Sequence, residues 1–270
     1  MFAAFALATS ATQGLAAPPG FVHETLDNGF RVSIHSDPSF PVVATRLAVD
    51  VGSAHEAEGE AGFAHLFEHL FSGGETQQVD ERAWSKLHRI AGGYTNAYTG
   101  FDQTVYLSDI PADAHPEVLA FVEGWFDGMV FTPEALETEK RIVAEELRLR
   151  TENDPFDRAF GAAQRKLLVG HPYGHEIAGT HEDIEAATVE LCRKFYETHY
   201  TADRLHLVIV GPVDAEALLT DVRARFGDLP TSTTPLPEVP RLDDWTFPEA
   251  LSVSEDIPPA RTLALLYPLP

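Results

Sequence analysis

Residues 62–70 read Gly62-Phe63-Ala64-His65-Leu66-Phe67-Glu68-His69-Leu70, inside a span, 60–71, with the spacing of a helix. On a helix His65 and His69 lie one turn apart on one face, so their two imidazoles can chelate a single cation. Glu68 stands one step before His69 and three after His65. A carboxylate there can take a proton from water held by the metal. The pattern H-x-x-E-H is the inverted form of the HExxH zinc motif. Two histidines are too few, because catalytic zinc takes three protein ligands and one open position. The lone cysteine, Cys192, cannot build a Cys-rich site and reads as a small buried hydrophobe. The third ligand is therefore expected to be a carboxylate from another element.

Downstream, Thr132-Pro133-Glu134 supplies an N-cap, proline at the first helical position and an acid in the first turn. A long charged helix is expected from there to about residue 151. It offers Glu137, Glu139, Glu145 and Glu146; Glu139 and Glu146, two turns apart, share a face. Spacing alone leaves the choice among these four open.

Elsewhere the pattern mixes strands and helices. Two strand-like runs over 21–41 are split by Asp27-Asn28-Gly29, a hairpin signal. Residues 42–52 alternate, with Leu47, Val49 and Val51 on one side and Arg46, Ala48 and Asp50 on the other. Helices are expected over 80–91, 117–129, 156–169, 190–200 and 213–226, and strands over 94–109 and 205–210. No steady βαβ rhythm runs through the chain, and there is neither a GxGxxG nor a phosphate loop. The expected class is α+β: a mixed, mostly antiparallel sheet with helices packed on one face.

Composition narrows the function. Of 270 residues 44% are apolar, enough for a core, and 19 Lys+Arg against 42 Asp+Glu leave a net charge of −23. Such a surface repels nucleic acid and anionic lipid. No apolar run reaches the roughly 18 residues that span a bilayer. Residues 1–20 carry no charged side chain, an apolar run and small residues at Gly14-Leu15-Ala16. They read as a secretory signal lacking its basic n-region, which points to a periplasmic or secreted protein. Residues 230–248, with five prolines, read as an extended linker. Residues 249–270 read as the opening strands of a second domain.

Several segments resemble, in order, the catalytic N-terminal domain of the insulinase/pitrilysin zinc peptidases, which include the mitochondrial processing peptidase. Residues 62–70 resemble the family's metal-binding helix, and Arg141-Ile142-Val143-Ala144-Glu145-Glu146-Leu147 its third-ligand segment. Gly93-Tyr94-Thr95-Asn96-Ala97-Tyr98-Thr99 and Asp102-Gln103-Thr104-Val105-Tyr106 resemble the region that holds substrate. His171-Pro172-Tyr173-Gly174, Gly179-Thr180 and the run 195–211 match later landmarks, so the likeness covers about 22–230. It implies one Zn²⁺ per chain held by His65, His69 and Glu146, with Glu68 as general base and Glu139 as a supporting acid. It also implies an extended peptide substrate along Tyr94, Thr95, Asn96 and Ala97, with Asn96 touching the peptide backbone. The implied activity is that of a metalloendopeptidase working on peptides or unfolded segments over a catalytic domain of 21–229. Three features depart from the pattern. Phe71-Ser72-Gly73-Gly74 lacks the usual Phe-x-Gly-Thr. The n-region is missing. Only the first strand or so of the second half is present. In the family that half, or a homologous partner subunit, closes the site and brings an Arg/Tyr pair. The rival expectation is a non-catalytic binding or assembly subunit of the same fold. His171-Pro172-Tyr173-Gly174-His175 is expected to be a structured loop and not a second metal site.

Overall fold

At Asp27-Asn28-Gly29 the chain reverses between strand β1 (Phe21–Thr25) and strand β2 (Arg31–Ser36), with Gly29 at φ +87°. That left-handed backbone and the contact of Gly29 with Asp203 both call for glycine. The computed structural model describes residues 18–73, 75–76, 83–127, 129–149 and 155–246. The signal-like segment, apart from 18–20, and the start of the expected second domain lie outside them.

Strand β3 (Val42–Val49) follows, then helix α1 (Phe63–Gly73), strand β4 (Glu75–Thr76), helix α2 (Ala83–Ala91), strands β5 (Tyr94–Thr99) and β6 (Thr104–Pro111), and helix α3 (His115–Asp127). After strand β7 (Met129–Val130) come helices α4 (Pro133–Leu147), α5 (Pro155–Leu167), α6 (His181–Ala186) and α7 (Val189–His199), strand β8 (Leu205–Gly211) and helix α8 (Ala215–Phe226). Six strands form one sheet in the order β1-β2-β8-β3-β6-β5; β4 and β7 form a separate pair. Only β2 and β8 run parallel, so the sheet is mixed and mostly antiparallel, as expected. Strand β5 is an edge.

Alternation decides which face is covered. On β3, Val43, Leu47 and Val49 are buried while Ala44, Arg46 and Ala48 between them are half-exposed. The buried set joins Val32, Ile34, Leu207, Ile209 and Ile110 under the helices, with Phe30 stacked on Phe226 at 4.9 Å. One helix was not expected: α6 is six residues long, too short for a periodicity to register. Its signal is a capping box, in which the Thr180 hydroxyl accepts from Asp183 N–H and the Asp183 carboxylate from Thr180 N–H. The expected end of α3 at 129 also moves, because Met129 and Val130 pair with Thr76 and Glu75 in β7–β4.

Residues 230–241 carry no regular structure, Leu242–Asp244 form one 3-10 turn, and the stretch is tied down. Arg204, buried, donates to Ser232 Oγ and to the Thr234 carbonyl, and His171 Nε2–H to the Pro240 carbonyl at 2.9 Å. Trp245 closes the strap edge-on to the His171 ring at 4.8 Å.

Two buried histidines make the fold acid-sensitive. Burial pushes His115, beside Thr45 Oγ1 at 3.1 Å, down to about 4. Burial, helped by the Arg204 guanidinium that donates to its Nδ1 at 3.1 Å, does the same to His199. The unfolded chain protonates both below about pH 6.5, whereas the folded chain resists until about pH 4. Their contribution is complete above pH 6.5 and lost as pH falls toward 4, about 2 kcal/mol each at pH 5. Urea midpoints measured at pH 7.5 and 5 are expected to fall less in His115→Gln and His199→Asn than in wild type. Equal falls in all three proteins would contradict this.

Candidate metal centre

Helix α1 carries two interleaved stripes. Phe63, Leu66, Phe67, Leu70 and Phe71 recur at helical spacing and are all essentially fully buried. Phe67 alone touches the rings of Phe71, Phe131, Phe195 and Tyr200. Each such side chain contributes ~1.5–3 kcal/mol on burial, so the rotation of α1 about its axis is strongly determined. That rotation presents His65 and His69 to α4 and Glu68 to the end of the edge strand β5.

The start of α1 is set from a distance. The buried Glu56 carboxylate accepts N–H bonds from Gly62 (3.0 Å) and Ala64 (2.8 Å), satisfying orphan donors where the helix dipole favours an anion. His175 Nε2 lies 3.3 Å from the same carboxylate and ties the 171–178 loop to it. Burial raises the Glu56 carboxyl above its ordinary range despite these donors. The His171–His175 loop is thus held by internal bonds, including Tyr173 N–H to His171 Nδ1.

Helix α4 starts at the expected cap, Thr132 Oγ1 accepting from Ala135 N–H. It buries Leu136, Glu139, Lys140, Val143 and Leu147 and packs along α1. Of its four candidate ligands, Glu139 and Glu146 face the histidines. Glu146 Oε2 lies 3.2 Å from His69 Nε2 and 3.9 Å from His65 Nε2, while Glu139 Oε2 lies 3.5 Å from His69 Nδ1. Glu137 instead pairs with Lys140, and Glu145 with Arg148. Among the described residues, His65, His69 and Glu146 are the one group of three whose ligand atoms fall within 4.8 Å of one another.

This donor set fits zinc. Four ligands at ~2.0–2.1 Å in a tetrahedron sit about 3.4 Å apart, and the observed 3.2 and 3.9 Å bracket that value. Charge agrees. Burial opposes a proton on His69, yet hydrogen bonds and the charges of Glu139 and Glu146 overcome it and lift the imidazole to about 9. The cluster demands positive charge, which a dication supplies. Glu139, beside Nδ1, also leaves Nε2 directed at the shared centre.

A cleft of about 480 Å³ opens over His65, Glu68 and Glu146. Ala97, Tyr98 and Thr99 of β5 line one side; Leu147, Phe160 and Gln164 with residues 175–178 line the other. The candidate substrate residues divide. Ala97 belongs to the cleft, whereas Thr95 spends its hydroxyl on the Leu107 carbonyl. Asn96 donates to the Tyr94 hydroxyl at 2.9 Å on the exposed part of the strand. Thr99, missed in the sequence, donates to Glu68 Oε2 at 2.6 Å. Only its placement two residues after Ala97, on the same side of a strand, hinted at this. Tyr106 is core: its hydroxyl meets the Phe67 carbonyl at 3.3 Å and the Tyr200 hydroxyl at 3.2 Å.

Residues 31–181 match the family model described as insulinase (peptidase family M16), and residues 186–270 the peptidase M16 inactive domain. An uncharacterized zinc protease of Rickettsia bellii is 30% identical over 205 residues, covering 76% of this chain and 49% of that protein. A probable mitochondrial-processing peptidase subunit beta of Schizosaccharomyces pombe is 29% identical over 78% of this chain and 46% of its own length. A protease from Helicobacter pylori, known as a crystal structure, superposes with a TM-score of 0.76 at 26% identity, covering 82% of this chain and 54% of that one. The chain spans about half the length of the curated relatives it matches.

Proposed function

Because the chain belongs to the insulinase family of peptidases, family M16, we propose that it is a zinc endopeptidase unit that cuts peptides or unfolded segments. The observation that supports this most is the meeting of His65 and His69 from α1 with Glu146 from α4, with Glu68 at the same cleft.

In this reading His65, His69 and Glu146 hold one zinc ion per chain. When bound, the ion supplies Lewis acidity that makes water a better acid and polarises the scissile carbonyl. Glu68 takes the proton as the water oxygen bonds to the carbonyl carbon. It returns that proton to the amine nitrogen as the C–N bond breaks. Glu139 keeps the His69 ring oriented. The outer edge of β5 offers backbone groups to an extended peptide, and small Ala97 lets it approach. In the same reading Asn96, on the exposed part of that strand, contacts the peptide backbone.

A second domain or a homologous partner subunit completes the site, which accounts for relatives about twice this length. In this division residues 21–229 are the catalytic domain, 230–248 the connection and 249–270 the opening of the second half. The intact ligand set and Glu68 weigh against a purely non-catalytic subunit. No helix among the described residues is long and apolar enough to cross a membrane. The signal-like composition of residues 1–20 supports a working place in the periplasm or outside the cell.

Zinc removal and return test the reading. In the assembly that cleaves an unfolded peptide, a chelator is expected to abolish cleavage and one equivalent of zinc to restore it. Cleavage indifferent to chelation would contradict a metal mechanism.

A further inference from the structure

We propose that Thr99 is a positioning residue for Glu68, fixing the carboxylate from the edge strand and not from the helix that carries it. The inference rests on the reading of Glu68 as general base.

Thr99 is the last residue of β5, lines the cleft and donates its hydroxyl to Glu68 Oε2 at 2.6 Å. That length belongs to O–H···O⁻ bonds, which are stronger than neutral ones. The mount behind the hydroxyl is rigid. Thr99 pairs with Thr104 at the end of the β5–β6 ladder. Directly after it, Gly100 N–H donates to the Gln103 carbonyl at 2.8 Å. The Gly100 and Phe101 carbonyls accept from Ser53 and Ala54 N–H at 3.1 and 2.9 Å. Gly52 abuts the same turn so closely that an added Cβ would stand 2.4 Å from the Gly100 oxygen.

A glutamate side chain on a helix rotates about three bonds, and a base must meet its proton within about 0.5 Å of the productive place. Holding Oε2 from a second, pinned element removes most of that freedom and assigns proton acceptance to Oε1. It also ties the base to the strand proposed to bind the peptide, so substrate and base share one reference frame.

Two measurements on the zinc-loaded full chain decide this. The first needs no activity. Urea midpoints are compared for wild type, Thr99→Val, Glu68→Ala and the double variant. Thr99→Val is expected to lower the midpoint when Glu68 is present and to change nothing when it is absent. The same shift in both backgrounds would overturn the coupling and leave Thr99 as packing. The second is cleavage in the competent assembly. Thr99→Val is expected to lower kcat about 10–100-fold, with KM within about twofold and zinc content unchanged, and Thr99→Ser to restore most of kcat. An unaltered kcat in Thr99→Val, or equal losses with Ser and Val, would overturn the proposal. If wild type with zinc cleaves nothing in any assembly, the peptidase reading fails, and the midpoint cycle still decides whether Thr99 fixes Glu68.

Discussion

Glu68→Gln is expected to lower kcat by about 10²–10⁴-fold, the range general-base catalysis contributes, while zinc binding and folding stay near wild type. The substitution keeps the size and shape of the side chain. Its amide oxygen still accepts the Thr99 hydroxyl bond made at 2.6 Å, and what it loses is the capacity to take a proton. Glu68 is not in the ligand group of His65, His69 and Glu146, so the metal has no reason to leave. KM should move little, because the β5 edge and the cleft walls are untouched. The check is steady-state cleavage of an unfolded peptide beside zinc content of the same preparation. Cleavage at the wild-type rate would remove Glu68 from the chemistry, and joint loss of zinc and activity would make it a ligand.

Glu146→Gln is expected to do the reverse, with metal affinity falling first and activity with it. It replaces the one anionic donor among three with a neutral amide. The drop should exceed the 10–100-fold that altering an outer contact costs. Glu139→Gln should stay inside that range, since Glu139 reaches His69 at Nδ1 and not at the Nε2 that meets Glu146. Competition against a chromophoric chelator at pH 7.5 measures both. Full affinity in Glu146→Gln, with the larger loss in Glu139→Gln, would exchange the roles of the two acids.

How much of this could be read from residues depends on the range of the interaction involved. The α1 stripe and the His65–Glu68–His69 set are local, within two helical turns, and the spacing alone carried them. The choice of Glu146 over Glu137, Glu139 and Glu145 is different. Glu146 meets His69 only because α4 packs along α1, and the spacing of α4 says nothing of that; a family likeness was needed. The insertion of β8 between β2 and β3 pairs Val32 with Leu207 across the length of the domain. No turn or period marks a contact of that kind. Strand alternation placed Thr99 on the side of Ala97 without telling what lay opposite. Proline content suggested an extended linker over 230–248, and within the described part, 230–246, Leu242–Asp244 instead make a 3-10 turn. It could not foresee that buried Arg204 and His171 strap this stretch to the domain.

The proposed centre is a single zinc held by two imidazoles and one carboxylate from helices far apart in sequence. X-ray absorption at the zinc edge, on protein loaded with one equivalent, decides it. Two histidine nitrogens and oxygen donors at about 2.0–2.1 Å with no sulfur are expected, and in Glu146→Gln a loss of bound zinc. A stable wild-type zinc environment with fewer than two imidazoles, or one that Glu146→Gln leaves unchanged, would contradict it.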